Sequence, residues 1–192
     1  GATGQLNQVY PEVYAVDGIP GYTTYRIFAE LESPTDFIAA VVAFEDNPLS
    51  IGGSGNEIWN SASGSVSGSD LALDFCGFIP DICFDSYVTI GWHGTEDFQG
   101  GMIDCGQAVI PISSLPTSTV INESFDNEIS TNLNMIDGAW FTTNVPGCND
   151  NGLGVGDNNK VLLAQVTIPS GDQLEYIINV QVFLDSDGMN SL

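Results

Sequence analysis

Most segments of this chain that contain apolar residues show the patterns of apolar and polar positions that are typical of β-strands. The run Tyr22–Leu31 is rich in β-branched and aromatic residues and follows the turn signal Pro20-Gly21. Phe37–Phe44 is a continuous apolar run, which is typical of a strand buried on both faces. Further strands are predicted at Tyr87–Trp92, Gly138–Thr143, Val161–Ile168 and Leu174–Phe183.

The connections between these strands predict how they pair. Ser33–Asp36 separates the first two strands, so the simplest interpretation is an antiparallel pair. The turn Pro169–Asp172 is expected to join the last two strands as a hairpin. Three long polar segments are predicted loops, and loops of such length usually bind an ion or a partner. They are Gly52–Asp70, Glu96–Gly106 and Gly147–Asn159.

Helical periodicity is weak, and one short helix near Asn122–Asn127 is predicted. The patterns therefore predict one all-β domain over residues 1–192. We expect an antiparallel β-sandwich, immunoglobulin-like or jelly-roll, with long polar loops and little helix. Residues 1–20 are expected to form an extended arm. Its alternating segment Val9–Val16 is suited to pair with the edge of its own sheet or of a neighbour, and Pro11 disfavours a central position.

The charge balance is unusual because cations are almost absent. The chain has 25 acidic residues against 2 basic ones, and its formal net charge is −23. Without clustered Lys and Arg, nucleic-acid binding and polybasic membrane contact are excluded. A hydrophobic content of 43% argues against disorder. Arg26 and Lys160 are expected to pair with carboxylates within or between subunits.

The cysteines predict an oxidised, extracellular and secreted domain. Their count is even, in a chain of few charges that is rich in Gly, Asn, Ser and Thr. The candidates are Cys76, Cys83, Cys105 and Cys148. Several pairings are open; the local Cys76–Cys83 pair, whose loop contains Pro80, would leave Cys105–Cys148. Zinc is the alternative, but zinc sites usually show closely spaced Cys pairs or several histidines.

The length of the apolar runs and the first residues of the chain indicate whether the protein spans a membrane or carries a signal peptide. No apolar run is long enough to span a membrane. No basic residue leads an apolar segment at the start, so we expect that any signal peptide has been removed.

Four strand motifs occur in the order GYTTYRIFAEL (21–31), FDSYVTIG (84–91), DGAWFTT (137–143) and VLLAQVTIPSGDQLEYIINVQVF (161–183). In this order they resemble a tandem-type extracellular β-sandwich module of large secreted and cell-surface proteins from marine Bacteroidota and some algae. The resemblance covers most of the chain from about Gly21 to Phe183. It implies a surface-exposed structural or adhesive role and brings no catalytic residues. The first 20 residues and the cysteine pairs fall outside its pattern.

Calcium binding is the chemistry that the loops favour most. Calcium takes Asp, Asn and backbone oxygens arranged by Gly-rich turns. The candidate ligands are Asp150, Asp157, Asn159, Asp185 and Asp187. Asp185–Asn190 lacks the distal acid and the flanking helices of an EF-hand, and ordinary Asp/Asn/Gly turns are the alternative. Carboxylates without Lys or Arg repel one another, however, and divalent ions relieve that repulsion.

Carbohydrate binding is the alternative function. Trp59, in the polar segment 56–60, and Trp92 are the candidates for stacking on a sugar. A loop aromatic that anchors onto the sandwich is the plainer interpretation of Trp59. Trp140 lies in an apolar stretch and is expected in the core. The triplet Asn122-Glu-Ser is a candidate glycosylation site.

Enzymatic activity is not expected. His93 is the only histidine and follows a predicted strand, where a surface position is usual. No Gly-x-Ser-x-Gly elbow surrounds a serine, and no carboxylate pair stands out, although a carboxylate-based hydrolase is retained as a third hypothesis. The sequence favours an extracellular structural or adhesive surface module that self-assembles into a filament or larger surface assembly, stabilised by disulfides and calcium. A calcium-dependent carbohydrate-binding module is the runner-up.

Overall fold

The computed structural model describes residues 6–71, 75–91, 110–111, 117–141 and 159–183. Their strands form antiparallel sheets around a shared core, which confirms the predicted all-β, sandwich-like fold. The strands are β1 (Leu6–Val16), β2 (Tyr22–Leu31), β3 (Phe37–Ala43), β4 (Leu49–Gly53), β5 (Ile58–Trp59), β6 (Tyr87–Val88), β7 (Ile110–Pro111), β8 (Ile129–Ser130), β9 (Leu133–Met135), β10 (Gly138–Phe141), β11 (Lys160–Pro169), β12 (Leu174–Ile177) and β13 (Asn179–Phe183). The helical elements are α1 (Thr117–Phe125) and the 3-10 turns Gly68–Asp70 and Pro80–Phe84.

The largest sheet has the strand order β1-β2-β11-β5-β8, and β6 also pairs with β11. β1 lies at its edge and pairs with β2 from Leu6, opposite Leu31, to Val16, opposite Thr23. The N-terminal segment therefore pairs with the edge of its own sheet, as one of the two predicted arrangements. An edge position tolerates Pro11, which has no N–H to give to a ladder.

The predicted pairing of the first two long strands is wrong. β3 lies in a second sheet of order β13-β3-β10-β7, whereas β2 lies between β1 and β11. The turn at Ser33–Asp36, closed by the Asp36 N–H donating to the Ser33 carbonyl at 3.2 Å, carries the chain from one sheet to the other. β3 is buried along nearly its whole length, as its apolar run predicts.

The predicted hairpin at Pro169–Asp172 is also wrong. The Asp172 N–H donates to the Pro169 carbonyl at 2.9 Å and closes the turn, but β12 pairs with β4 in a third sheet of order β12-β4-β9. The predicted single strand Leu174–Phe183 divides at Ile178, because β13 continues into the second sheet. The last part of the described chain thus links all three sheets.

Several boundaries differ from the predictions. The helix α1 begins and ends earlier than Asn122–Asn127, and within the described residues no helix is long and apolar enough to cross a membrane. The segment Gly52–Asp70 is not one loop, since it contains β5 and a 3-10 turn. β6 is shorter than the strand predicted at Tyr87–Trp92, although the N–H groups of Thr89 and Gly91 still bond to β11.

The main core lies between the sheets and α1. It draws buried aliphatic side chains from all three sheets, with Ile121 and Phe125 from the helix. Trp140 is fully buried there, as predicted, and its indole N–H donates to the Thr89 carbonyl at 3.0 Å. This bond satisfies the polar atom that the core would otherwise isolate.

A second, smaller core lies on the other face of β2 and β11. Its buried members are Leu71, Ile82, Tyr87 and Leu162, and Phe28 and Cys76 pack against them. β11 is therefore covered on both faces and is buried at every position between its two ends.

The disulfide predicted between Cys76 and Cys83 is present. It closes a short loop, with a sequence separation of 7 and Cα atoms 5.6 Å apart. The 3-10 turn Pro80–Phe84 begins inside that loop, and Pro80 at its start suits a helical first turn. Cys105 and Cys148 lie outside the described residues, so their pairing stays a prediction.

Replacing both Cys76 and Cys83 by Ser is expected to lower the free energy of unfolding by roughly 2.5 kcal/mol, the chain-entropy value for a loop of this length. Urea unfolding followed by tryptophan fluorescence measures the change. Substitution isolates this bond, whereas a reductant would also break the bond predicted between Cys105 and Cys148. Gly77→Ala, in the same loop, is the matched control and should leave stability unchanged, since no atom lies within 4 Å of its added methyl group. An equal stability of the double variant and the wild type would contradict a stabilising role for the bond.

Candidate functional site

Both basic residues of the chain lie on one face of the largest sheet. We define the outer face as the face of β1, β2 and β11 that carries the smaller core. The strand register places Glu12 opposite Arg26, and Arg26 opposite Gln165. A register shift in β11 between Leu162 and Ala164 lets Leu162 and Gln165 both reach this face.

Lys160 is bound within the chain. Its Nζ forms an ion pair with Glu12 Oε1 and lies 5.6 Å from the ring centroid of Tyr10 and 5.3 Å from that of Phe28. The hydrogen bonds to Glu12 and then to Tyr10 raise the pKa of Lys160 above its ordinary value. Lys160 thereby ties β11 to the edge strand β1 and pairs with a carboxylate of its own chain, one of the two arrangements expected for it.

Arg26 is held differently. Its Cζ lies 3.8 Å from the ring centroid of Tyr14, and its Nε donates to Gln165 Oε1 at 2.9 Å. Among the described residues, no carboxylate lies within ion-pair distance of Arg26, although Glu12 is directly opposite on β1. The expected carboxylate partner of Arg26 is therefore not found in this part of the chain.

The outer face is covered by residues 75–84, which we call the stapled segment because the Cys76–Cys83 disulfide closes it. Gln165 Nε2 donates to the Cys83 carbonyl at 3.2 Å, and Thr167 Oγ1 donates to the Phe84 carbonyl at 2.6 Å. Buried polar side chains need such partners, since an unpaired one costs roughly 1–3 kcal/mol. The stapled segment is thus fixed by side chains of β11 as well as by the disulfide.

The tip of the stapled segment carries exposed apolar side chains. Phe78 is 86% exposed, and Phe75 and Ile79 are exposed to a smaller extent. The ring of Phe84, at the other end of the segment, lies 6.3 Å from that of Tyr14. The stapled segment therefore contacts both partners of Arg26, because Phe84 lies beside Tyr14 and the Cys83 carbonyl accepts from Gln165.

Asp85 follows the stapled segment and is fully buried. Its carboxylate accepts backbone N–H bonds from Ser61 and Ser65, each at 2.8 Å. Burial removes water from the carboxylate and raises the pKa of Asp85 to about 7, although the N–H bonds from Ser65, Ser61 and Ser86 oppose the shift. Asp85 fastens the loop 61–65 to the start of β6 and is the most strongly perturbed titratable group described.

Asn60, next to that loop, is also buried. Its Nδ2 lies within bonding distance of the Ser124 carbonyl at 3.2 Å, the Ser130 hydroxyl at 3.1 Å and the Asn127 carbonyl. These acceptors fix the amide with its nitrogen toward the end of α1. Its Oδ1 is the buried side-chain atom without a hydrogen-bond partner among the described residues.

Of the predicted calcium ligands, Asn159 is described. It precedes β11 with a positive φ of 53°, and its Nδ2 donates to the carbonyls of Leu31 and Glu32 at 3.2 and 3.3 Å. The amide therefore caps the end of β2. The other candidates lie outside the described residues, namely Asp150, Asp157, Asp185 and Asp187. Within the described part, no three His, Cys, Asp or Glu side chains converge as a metal site would require.

Of the predicted glycan contacts, Trp59 is half-buried in β5 rather than in a polar loop. Its ring lies 6.4 Å from that of Tyr22 at an interplanar angle of 51°, and the Tyr22 hydroxyl donates to Glu57. Asn122 is exposed on α1, where a glycan is sterically acceptable. Trp92 and His93 lie outside the described residues, and sugar binding stays a prediction.

The sequence alone did not single out Asp85 or the apolar tip of the stapled segment. Both depend on contacts between residues far apart in the chain. The scarcity of cations was the signal that pointed to Arg26. No family model, no curated protein and no solved structure matches this chain.

Gly64→Ala is expected to destabilise the fold by roughly 1–3 kcal/mol, the usual cost of overpacking. The added methyl group would lie 2.0 Å from Asp85 Oδ2, and the Asp85 carboxylate is held in place by N–H bonds from Ser61 to Oδ1 and from Ser65 to Oδ2. Thermal unfolding followed by circular dichroism measures the loss. Gly171→Ala is the matched control, because nothing lies within 4 Å of its added methyl group. Equal melting temperatures for the two variants would show that the contact between loop 61–65 and Asp85 is loose.

Asp85 should make stability depend on pH. Its folded pKa of about 7 exceeds the ordinary 3.8, so the folded state binds this proton more tightly than the unfolded state does. The resulting stabilisation is fully present below about pH 4 and is lost as the pH rises through about 7. In Asp85→Asn, the fall in the free energy of unfolding over this range should be shallower than in the wild type.

Urea unfolding at several pH values measures this slope. Asp81→Asn is the control, because Asp81 is exposed on the stapled segment and its removal should leave the slope as in the wild type. Parallel slopes for the wild type and Asp85→Asn would contradict the raised pKa.

Proposed function

We propose that this chain is an extracellular structural or adhesive surface module that self-assembles into a filament or larger surface assembly, stabilised by disulfides and calcium. The observation that carries the proposal is β1, a strand of 11 residues at the edge of the largest sheet. A long edge strand offers unpaired backbone N–H and C=O groups to another chain.

Side chains on β1 support this role. Val13 is 58% exposed, and Val16 and Tyr14 are also exposed, so the end of this edge strand carries apolar surface. Monomeric proteins usually blunt such edges with short strands, charges or proline. Here Pro11 and Glu12 occupy the middle of β1, whereas its last four residues, Val13–Val16, are apolar.

The charge balance supports calcium as a component of the assembly. With 25 acidic residues and 2 basic ones, copies of this chain repel one another unless cations intervene. Calcium bound by the predicted loop ligands would lower that repulsion, and oxygen ligands of this kind suit it. The predicted ligands are Asp150, Asp157, Asn159, Asp185 and Asp187.

The Cys76–Cys83 disulfide supports the extracellular location, since disulfides persist mainly in oxidising compartments. The resemblance of the strand motifs to modules of secreted and cell-surface proteins favours the same location. A disulfide that stabilises a surface segment also suits a protein that must persist outside the cell.

Multi-angle light scattering and negative-stain microscopy, with calcium and then with EDTA, test the proposal. The wild type should form filaments or particles much larger than its 20.4 kDa chain, and EDTA should dissolve them. A monodisperse species of 20.4 kDa in both conditions would overturn the proposal.

Val13→Lys should reduce this assembly, because an edge lysine disfavours pairing between strands. Ile136→Lys is the matched control: it adds the same charge at a side chain that is 67% exposed and lies between β9 and β10. Both variants should keep the melting temperature of the wild type. Assembly of Val13→Lys at the wild-type level would show that β1 is not the contact.

A further inference from the structure

The two basic residues have different partners. Lys160 is paired with Glu12 of its own chain, whereas Arg26 contacts a neutral amide and an aromatic ring. A guanidinium has five N–H donors, and Arg26 uses only Nε for a hydrogen bond among the described residues. In a chain with 25 acidic residues, an arginine without a carboxylate partner in the described structure is unexpected.

The guanidinium of Arg26 is also preorganised. Tyr14 covers one face of it at 3.8 Å, and Gln165 holds Nε at 2.9 Å. Gln165 is itself fixed, because its Nε2 donates to the carbonyls of Cys83 and Asp85 at 3.2 and 2.7 Å. These contacts fix the plane of the guanidinium and leave its two η nitrogens to donate. Two such donors side by side match the two oxygens of a carboxylate.

The segment that carries the exposed apolar tip contacts both partners of this arginine, through Phe84 beside Tyr14 and through the Cys83 carbonyl at Gln165. We define the Arg26 surface by Arg26 and Tyr14 together with Phe75, Phe78 and Ile79 at the tip of the stapled segment. All of the apolar members are exposed, and the disulfide and Gln165 fix the segment that carries them. Arginine and aromatic side chains are the residues that most often dominate the free energy of protein–protein binding.

We propose that the Arg26 surface binds a carboxylate-bearing surface of a second copy of this chain. This inference rests on the proposed self-assembly and adds a second contact to the one proposed at the β1 edge. Charge complementarity selects the occupant, because the chain has 25 acidic residues and only two basic ones, Arg26 and Lys160, so a second copy brings far more carboxylates than cations. Because the Arg26 surface of one copy would bind a different surface of the next copy, the contact is head-to-tail. Head-to-tail contacts that do not close into a ring produce filaments.

Sedimentation velocity over a concentration series, in calcium, tests this contact. Arg26→Gln should weaken self-association by about tenfold or more, because the acceptor carboxylate loses its charged partner. Arg26→Lys should recover only part of the loss, because an ammonium provides neither the planar fork nor the stacking on Tyr14. Phe78→Ala should also weaken association and, being at an exposed side chain, should keep the fold.

Lys160→Gln is the matched control, since it removes the same charge from the same face but leaves Arg26, Tyr14 and Gln165 in place; it breaks the ion pair with Glu12 and the contacts with the rings of Tyr10 and Phe28. Association of Lys160→Gln should stay close to that of the wild type. If the wild type assembles and Arg26→Gln and Phe78→Ala associate as tightly as Lys160→Gln does, the Arg26 surface is not the contact, and the proposed self-assembly stands without it. If the wild type does not assemble at all, both proposals are overturned.

Discussion

The structure depends on the burial of β11 on both of its faces. One face contributes aliphatic side chains to the main core, but the other carries Gln165 and Thr167, whose polar groups must find partners once water is excluded. The stapled segment supplies them through the backbone carbonyls of Cys83 and Phe84. It is therefore a third layer that the central strand requires, rather than a loop added to a sandwich.

The same layer determines where the few cations lie. Because the smaller core occupies the middle of the outer face, β1 is fastened beside it through side chains that extend from β2 and β11. Lys160 reaches β1 at Glu12, and Arg26 reaches it at Tyr14. Both cations thus support the edge strand. This distribution gives one surface of the molecule a chemistry that the others lack.

Strand positions were more predictable than strand partners. β2 has the bounds that its pattern predicted, and β11 and β3 fall within a residue or two of theirs, because alternation and apolar runs report burial locally. The turns at Ser33–Asp36 and Pro169–Asp172 looked like hairpins, yet both carry the chain between sheets. A short turn is compatible with either arrangement, and the choice depends on which distant strands bury the neighbouring faces.

The site could be predicted only in part. The Cys76–Cys83 pair and the importance of Arg26 follow from spacing and from the scarcity of cations. The burial of Asp85 and the exposure of Phe78 could not be predicted in this way. Both residues lie in a short segment that mixes apolar and polar residues, and its pattern does not indicate which side chains the rest of the fold covers. Trp59 was assigned to a loop because its polar neighbours hide a strand of two residues.

Hydrogen–deuterium exchange, compared between the assembled and the dissociated protein, tests whether copies of the chain meet through β1 and the stapled segment. Assembly through these surfaces should slow exchange at β1 and in residues 75–84 and should change exchange in the protected strand β11 little. Slower exchange confined to other parts of the described chain, with β1 and the stapled segment unchanged, would contradict assembly through these surfaces.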